Sequence, residues 1–277
     1  MAQKLTVALV QNNAGLDFDK NLADLQRLVR IAAGDGADLI AMPEYCSHYG
    51  MVDGRLAVGA HPIDQHPGLN AFQNLAKEVQ RAILVGSIGV KADDGRVQNC
   101  SILLDGQGGL CACYEKIHLF DVDLAGGESY RESNDIAPGS RAVIASLGDV
   151  KIGLSVCYDL RFPHLYRDLA KAGAHCLTIP AAFTAKTGKA HWHVLCRARA
   201  IETGCFVIAP SQYGSNPEGK LQRYGHSLVV APWGEVLADG GDGEGVVSAT
   251  IDLAEVAKTR SMVPALRHDR PYSIVSE

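Results

Sequence analysis

The alternation of apolar and polar positions divides the chain into two runs of elements in the same order. Residues 5–11 are largely apolar and read as a strand; over 20–33, Leu22, Leu25, Leu28, Val29 and Ala32 recur at helical spacing, and Gly34 closes the run. Residues 37–42 form the next strand, which runs into Pro43-Glu44. A helix over 69–79 and a strand over 82–88 follow, and 99–105 with 110–114 predict a hairpin across the glycines of 106–109. The second run has a strand over 150–156, a helix over 163–172, a strand over 174–179 that runs into Pro180, a helix over 190–202 and a strand over 205–209. Its hairpin pairs 226–230 with 235–238 across Ala231-Pro232-Trp233-Gly234.

The runs echo each other in places: ADLIAMPE (37–44) answers AHCLTIPA (174–181), and NCSILLDGQGGLC (99–111) answers HSLVVAPWGEVLA (226–238). Strands that are continuously apolar and separated by helices predict sheets covered by helices on one face and buried on the other. Two such halves set sheet against sheet give an α/β fold, a four-layer αββα sandwich of two pseudo-symmetric halves, formed as one domain over 1–277. No linker separates the halves. Residues 121–141 make a long polar connection, the kind of loop that is usually functional in a compact domain. The glycine loop 240–245 opens no helix and lacks the Lys-Ser/Thr of a phosphate cradle. After a strand over 246–251, the tail from about 253 to 277 begins as a short helix and ends in RHDRPYSIVSE; such a tail packs on a neighbouring subunit or stays free.

Composition narrows the class. Hydrophobic residues make up 47% and charged residues 21% of 277 positions, as in a globular protein, and the net charge of −5 comes with no Lys/Arg run that could track a phosphate backbone. Nucleic acid is therefore not an expected partner. The start of the chain lacks the pattern of a signal peptide, no stretch is long enough to predict a membrane span, and the eight cysteines lie mostly in apolar runs. Reduced thiols and a cytoplasmic location are the expectation. Asn99-Cys100-Ser101 matches a glycosylation sequon, which carries no meaning without secretion.

Candidate chemistry centres on Cys157, at the end of the 150–156 strand with Pro163 opening a helix just beyond. That position lifts a side chain out of a sheet beside free backbone N–H groups. A cysteine nucleophile needs a proton acceptor, a donor for the developing oxyanion and a way to activate water. His164, the nearest histidine, is carried off the turn by a helical offset. Glu44 and Lys116 stand at corresponding places just beyond strand ends. Taken singly each has a plain reading: a small buried thiol, a loop carboxylate, a solvated surface cation.

Together, MPEY (42–45), YEKIHLFDVD (114–123) and CYDLRFP (157–163) resemble, in order, the three signature blocks of the nitrilase superfamily of carbon–nitrogen hydrolases, and the likeness extends from about residue 5 to about 272. The resemblance implies a triad of Glu44, Lys116 and Cys157, a second glutamate at Glu132 within YRES, the αββα sandwich, no cofactor and no metal, and dimerisation across the helices beside the nucleophile. It further implies that Cys157 attacks the carbonyl of a primary amide, that Glu44 relays the proton to departing ammonia and later activates water on a thioester, and that Lys116 with the Tyr158 N–H holds the oxyanion. KIHLFDVD, TGKAHWHVLCRARAIET and YGHSLVVAPWGEVLA most resemble the branch of deaminated-glutathione amidase and omega-amidase, which act on amides of α-keto acids. Deaminated glutathione is the favoured substrate; α-ketoglutaramate, a nitrile or an N-carbamoyl amide are the alternatives. A long anionic substrate calls for cationic or hydrogen-bonding side chains at the pocket, for which Tyr49, Thr187, Arg161, Arg197 and Arg199 are candidates, with Phe183 as a wall or a core aromatic. Arg161 could equally pin the turn, and Arg197 and Arg199 could be helix-surface charges. His191 and His193, two apart on a helix, point to different faces and do not predict a metal site, and Cys111 and Cys113 read as core.

Overall fold

In the computed structural model, which describes residues 4–92, 94–124, 128–215 and 222–276, the first half runs β1 (Lys4–Gln11), α1 (Phe18–Gly34), β2 (Leu39–Ala41), α2 (Pro67–Val79), β3 (Ala82–Lys91), β4 (Val97–Leu104) and β5 (Leu110–Glu115). The second half runs β6 (Val143–Leu147), β7 (Val150–Leu154), α3 (Pro163–Lys171), β8 (Cys176–Thr178), α4 (Ala185–Thr203), β9 (Phe206–Ala209), β10 (Leu228–Val230) and β11 (Val236–Asp239). β12 (Gly245–Asp252) and α5 (Ala254–Met262) follow. The two six-stranded sheets have the orders β12-β1-β2-β3-β4-β5 and β6-β7-β8-β9-β10-β11. Each has an antiparallel edge, three parallel central strands and an antiparallel pair beyond, so the two halves repeat one topology. The chain's late strand β12 completes the first sheet.

Strand periodicity sorts the core into layers. Leu5, Val7 and Leu9 of β1, with Leu39, Ala41 and Leu84, join the cluster that holds Ile152 and Leu154 of the second sheet, whereas Ala8, Val10, Ile40 and Ile83 pack on Leu25, Leu28 and Val29 of α1 and Phe72 of α2. Leu165 and Leu169 of α3 and Trp192 and Cys196 of α4 cover the other side. The result is an αββα sandwich. Each fully buried Leu or Val contributes roughly 1.5–3 kcal/mol to holding these layers together.

Several elements differ from the sequence expectation. α4 begins at Ala185 rather than 190, because Thr184 caps it, its Oγ1 accepting from Thr187 N–H at 3.4 Å. The polar stretch 121–141 is not a plain loop: Asp121–Leu124 pairs antiparallel with Glu128–Arg131, and a 3-10 turn, Glu132–Asn134, follows. Residues 125–127 of that stretch lie outside the described residues. A short ribbon exposed along most of its length gains nothing from apolar side chains, which is why its pattern reads as loop. β6 went unpredicted for a similar reason, as a half-exposed edge strand hinged to β7 through Gly148 at φ +57°. Cys111 is exposed and Cys113 half-buried rather than core, because β5 lies at the edge of its sheet. Among the described residues no helix is long and apolar enough to cross a membrane.

Candidate active site

The turn after β7 places Cys157 by a set of fixed backbone contacts. Cys157 adopts φ +49°, a left-handed conformation unusual for a non-glycine residue, and its N–H donates to Pro180 O at 2.9 Å. Asp159, fully buried, holds the turn: its Oδ2 accepts from Val156 N–H (2.8 Å) and the Tyr114 hydroxyl (2.7 Å), while its Oδ1 accepts from His118 N–H (3.0 Å) and lies 2.7 Å from His118 Nδ1. From α4, Arg199 donates through Nε and Nη2 to Leu160 O at 2.9 and 2.6 Å. A turn so heavily tied can hold a strained residue in place.

Glu44 arrives from the end of β2, pressed against β3. Gly86 allows this approach, since a Cβ there would stand 1.8 Å from Met42 O. Glu44 Oε1 accepts from Lys116 Nζ (2.9 Å) and Asn99 Nδ2 (3.0 Å), and Oε2 accepts from Ala182 N–H (3.0 Å). Its carbonyl oxygen accepts from Gln212 Nε2 at 2.7 Å. Lys116, just past β5 and 1% exposed, also reaches Glu132 at 3.0 and 2.8 Å. Glu132 comes from the 3-10 turn after the small ribbon, and its Oε2 accepts from Phe120 N–H at 2.7 Å. Asn99 Nδ2 and the Tyr45 hydroxyl approach its Oε1, each at 3.4 Å.

The electrostatics follow from this burial. Desolvation acts to lower the Lys116 pKa, but the Glu132 and Glu44 carboxylates outweigh it and hold the ammonium well above its ordinary value. Burial and then the Glu44 charge push the Cys157 thiol well up, and Lys116 opposes them only in part. The Glu44 carboxylate is thus near enough to act on that thiol through its charge. The arrangement can therefore keep sulfur protonated at rest, take its proton on Glu44 and present a fixed cation to a developing oxyanion.

These groups open into a cavity of about 700 Å³, within the roughly 300–1,000 Å³ of small-molecule sites. Of the sequence candidates, Glu44, Lys116, Glu132, Cys157, Tyr158, Tyr49, Phe183 and Thr187 all line it. Three arginines do not. Arg161 lies behind the wall, its guanidinium 5.8 Å from the Tyr158 ring centroid and 5.3 Å from that of Phe183. Arg197 donates to Gly234 O, and Arg199 is the buried tie to the nucleophile turn rather than a surface charge. The arginines that do line the cavity, Arg55, Arg131 and Arg223, are ones the sequence reading missed. Arg223 is 4% exposed, stacks 4.6 Å over the Tyr49 ring, and donates to Asn13 Oδ1 and, at 2.9 Å, to Ala14 O. Asn99 was missed as well. Its one sequence signal, a polar residue opening an apolar strand, coincides with the sequon match.

A model of the carbon-nitrogen hydrolase family matches residues 6–261. The deaminated glutathione amidase of Synechocystis sp. is 37% identical over 94% of this chain and 96% of its own length, and that of Homo sapiens is 40% identical over 96% of this chain and 82% of its own. The crystal structure of Saccharomyces cerevisiae Nit3, a member of branch 10 of the nitrilase superfamily, superposes with a TM-score of 0.86 at 29% identity over 96% of each chain. With the family model spanning most of the sequence and relatives 37% and 40% identical over nearly all of it, this chain belongs to the carbon-nitrogen hydrolase family.

Proposed function

We propose that the chain is a cysteine-dependent amidase whose substrate is the amide of an α-keto acid, with deaminated glutathione favoured. The observation that carries the reading is the Lys116 ammonium held between Glu44 and Glu132 in the cavity that also receives Cys157. Cys157 Sγ attacks the amide carbonyl as Glu44 takes the thiol proton. Lys116 Nζ and the Tyr158 N–H stabilise the tetrahedral oxyanion. Collapse expels the amine, protonated by Glu44, and leaves a thioester. Glu44 then removes a proton from water, which attacks the thioester and releases the acid and the thiol. Glu132 positions Lys116 and tunes the charge it shares with Glu44.

The leaving group depends on the substrate. From α-ketoglutaramate it is ammonia, as expected for a primary amide, whereas the γ-amide of deaminated glutathione joins the keto acid to cysteinylglycine, so the amine of that dipeptide departs. The favoured substrate is supported by the names of the relatives, by the cavity volume, and by Arg55, Arg131 and Arg223 in its wall, which suit two carboxylates. The test is intact-mass analysis after rapid quenching with deaminated glutathione. An α-ketoglutaryl adduct should appear on the native chain and be lost, along with about 1,000-fold or more of the turnover, in Cys157→Ala. Turnover retained in that variant refutes the mechanism.

For assembly the reading is a cytoplasmic homodimer or a higher oligomer. Val194 and Ile201 of α4, and Trp233 in the turn between β10 and β11, are more than half exposed, as are Tyr272, Ile274 and Val275 of the tail. Light scattering that finds only a single-chain mass of 29.5 kDa at micromolar concentration overturns it.

A further inference from the structure

A second group of reactive side chains stands outside the cavity. His193 in α4, His226 just before β10 and Asp239 at the end of β11 offer ligand atoms that all lie within 4.8 Å of one another. His193 Nε2 is 3.0 Å from Asp239 Oδ2, and His226 Nδ1 is 2.8 Å from Asp239 Oδ1. The reaction proposed above uses none of them.

We propose that His193, His226 and Asp239 bind a divalent transition metal ion of the zinc class. Two imidazoles and one carboxylate are the ligand types such ions select, whereas Ca²⁺ and Mg²⁺ favour sites built from oxygen alone. Bonds of about 2.0–2.2 Å allow two ligands of one ion to stand up to roughly 4 Å apart. Small side-chain adjustments therefore convert the present contacts into bonds to a shared ion. The three side chains are 32%, 22% and 35% exposed, which gives the ion access from solvent and leaves a coordination position for water.

The supports around the ligands favour a site over a simple hydrogen-bonded tie. His226 is fixed at φ +53°; its N–H donates to Gly241 O (2.8 Å), its carbonyl accepts from Trp192 Nε1 (2.7 Å), and its ring stacks on Tyr224 with centroids 4.5 Å apart. Asp239 Oδ1 also accepts from Gly241 N–H at 2.9 Å. Asp242 Oδ1, 3.2 Å from His226 Nε2, is placed to accept that N–H when Nδ1 faces the ion, the carboxylate partner that orients a metal-bound histidine. A tie between α4 and the end of β11 needs only one histidine on Asp239. The second histidine and the outer carboxylate are what a metal site adds.

The two histidines of HWH do diverge, His191 Nδ1 lying 3.3 Å from Arg161 Nη1, so the partners of His193 come from distant strands that helical spacing could not reveal. The ion would also brace the cavity wall. Tyr224, stacked on His226, follows Arg223 in the short strand Gln222–Tyr224, and Gly188 in the first turns of α4 lies so close that a Cβ would stand 2.3 Å from the Tyr224 side chain.

The test uses the full chain, stripped with chelator, desalted and titrated with Co²⁺ and with Zn²⁺. The expected result is about one equivalent bound, with visible d–d bands of nitrogen and oxygen ligation, displacement of Co²⁺ by Zn²⁺ and a metal-dependent rise in Tm. Cys157→Ala should bind as the native chain does, while His193→Gln and Asp239→Asn weaken binding by at least about tenfold. If those variants fold poorly, Asp242→Asn at its exposed position should still weaken binding by about tenfold. Failure of the native chain to bind either ion, or a thiolate charge-transfer spectrum that persists in His193→Gln and vanishes in Cys157→Ala, overturns the proposal.

Discussion

The Lys116 ammonium lies 2.8 Å from Glu132 Oε2 with the two side chains only 1% and 8% exposed. Glu44 shares the same ammonium at 2.9 Å, so two carboxylates compete for one buried cation. The excess negative charge is met by neutral donors: Asn99 Nδ2, Phe120 N–H and Ala182 N–H. In the proposed mechanism Glu132 would therefore act through the charge and position of Lys116.

Replacing Glu132 by Gln keeps the shape and removes one charge from this balance. We expect kcat to fall by about 100-fold, with KM little changed, because Lys116 loses one of the two carboxylate charges that hold it where the proposed mechanism needs it. Steady-state kinetics on the folded variant decide the matter, and an unchanged kcat would remove Glu132 from the machinery.

Asp159 makes the corresponding prediction for the nucleophile turn. Its two oxygens face Val156 N–H, His118 N–H, the Tyr114 hydroxyl and His118 Nδ1; an Asn amide would turn a donor toward some of these donors. Asp159→Asn should cost about 3 kcal/mol of stability. At temperatures where the variant is fully folded, kcat should still fall at least tenfold, because the turn no longer holds Cys157 at its positive φ. Denaturant melts paired with kinetics separate the two effects, and full activity in the folded variant would show that the turn is fixed by other contacts.

How far the sequence foretold this site depends on which physical relation placed each residue. Glu44, Lys116 and Cys157 were legible because each follows a strand, and strand ends can be read from periodicity; the three signature blocks then joined them. Asn99 and Gln212 were not, because each touches Glu44 across 55 and 168 residues, and no local pattern records which distant side chain a buried amide will meet. Arg199 illustrates the same limit in reverse. Helix α4 has little amphipathic contrast along its length, so its buried arginine could not be told from an exposed one until the turn it serves was placed beside it. Arg223 lies in a short strand beyond the reach of the period-2 signal.

The buried thiols predict alkaline lability. Desolvation raises the Cys46 pKa to about 12 from an ordinary value near 9, and Cys157, Cys176 and Cys196 are raised for the same first reason. A raised pKa means the native state keeps a proton that the unfolded chain gives up. Cys46 therefore contributes stability that is whole below pH 9 and is lost as pH climbs toward 12, with a slope of about 1.4 kcal/mol per pH unit. Melting curves across this window should show stability falling steadily, and Cys46→Ala should make the fall shallower by about one thiol's share. Equal slopes for the native chain and the variant would show that the Cys46 thiol is not the titrating group.

Selectivity among α-keto amides should map onto three arginines that line one cavity at different depths of burial. Arg223 is buried against Tyr49 and donates to Asn13 and Ala14, whereas Arg55 and Arg131 are 77% and 43% exposed and paired with Asp135 and Asp123. A carboxylate beside the keto group, common to α-ketoglutaramate and deaminated glutathione, fits the buried position. The distant glycine carboxylate of deaminated glutathione fits the exposed pair. Arg223→Lys, which keeps the charge but loses the planar fork, should lower kcat/KM for both substrates by about tenfold or more. Arg55→Ala and Arg131→Ala should lower it only for deaminated glutathione, by about threefold to tenfold, and less at high salt, since exposed charges are screened. One preparation assayed with deaminated glutathione, α-ketoglutaramate, glutamine and an aliphatic nitrile supplies the reference, and contact energy remote from the reacting amide should show there as the higher kcat/KM for the longer substrate. A tenfold preference for α-ketoglutaramate, about 1.4 kcal/mol of transition-state discrimination, would move the assignment to the shorter amide. Equal losses on both substrates in the Arg55 and Arg131 variants would break the link between the cavity mouth and the second carboxylate.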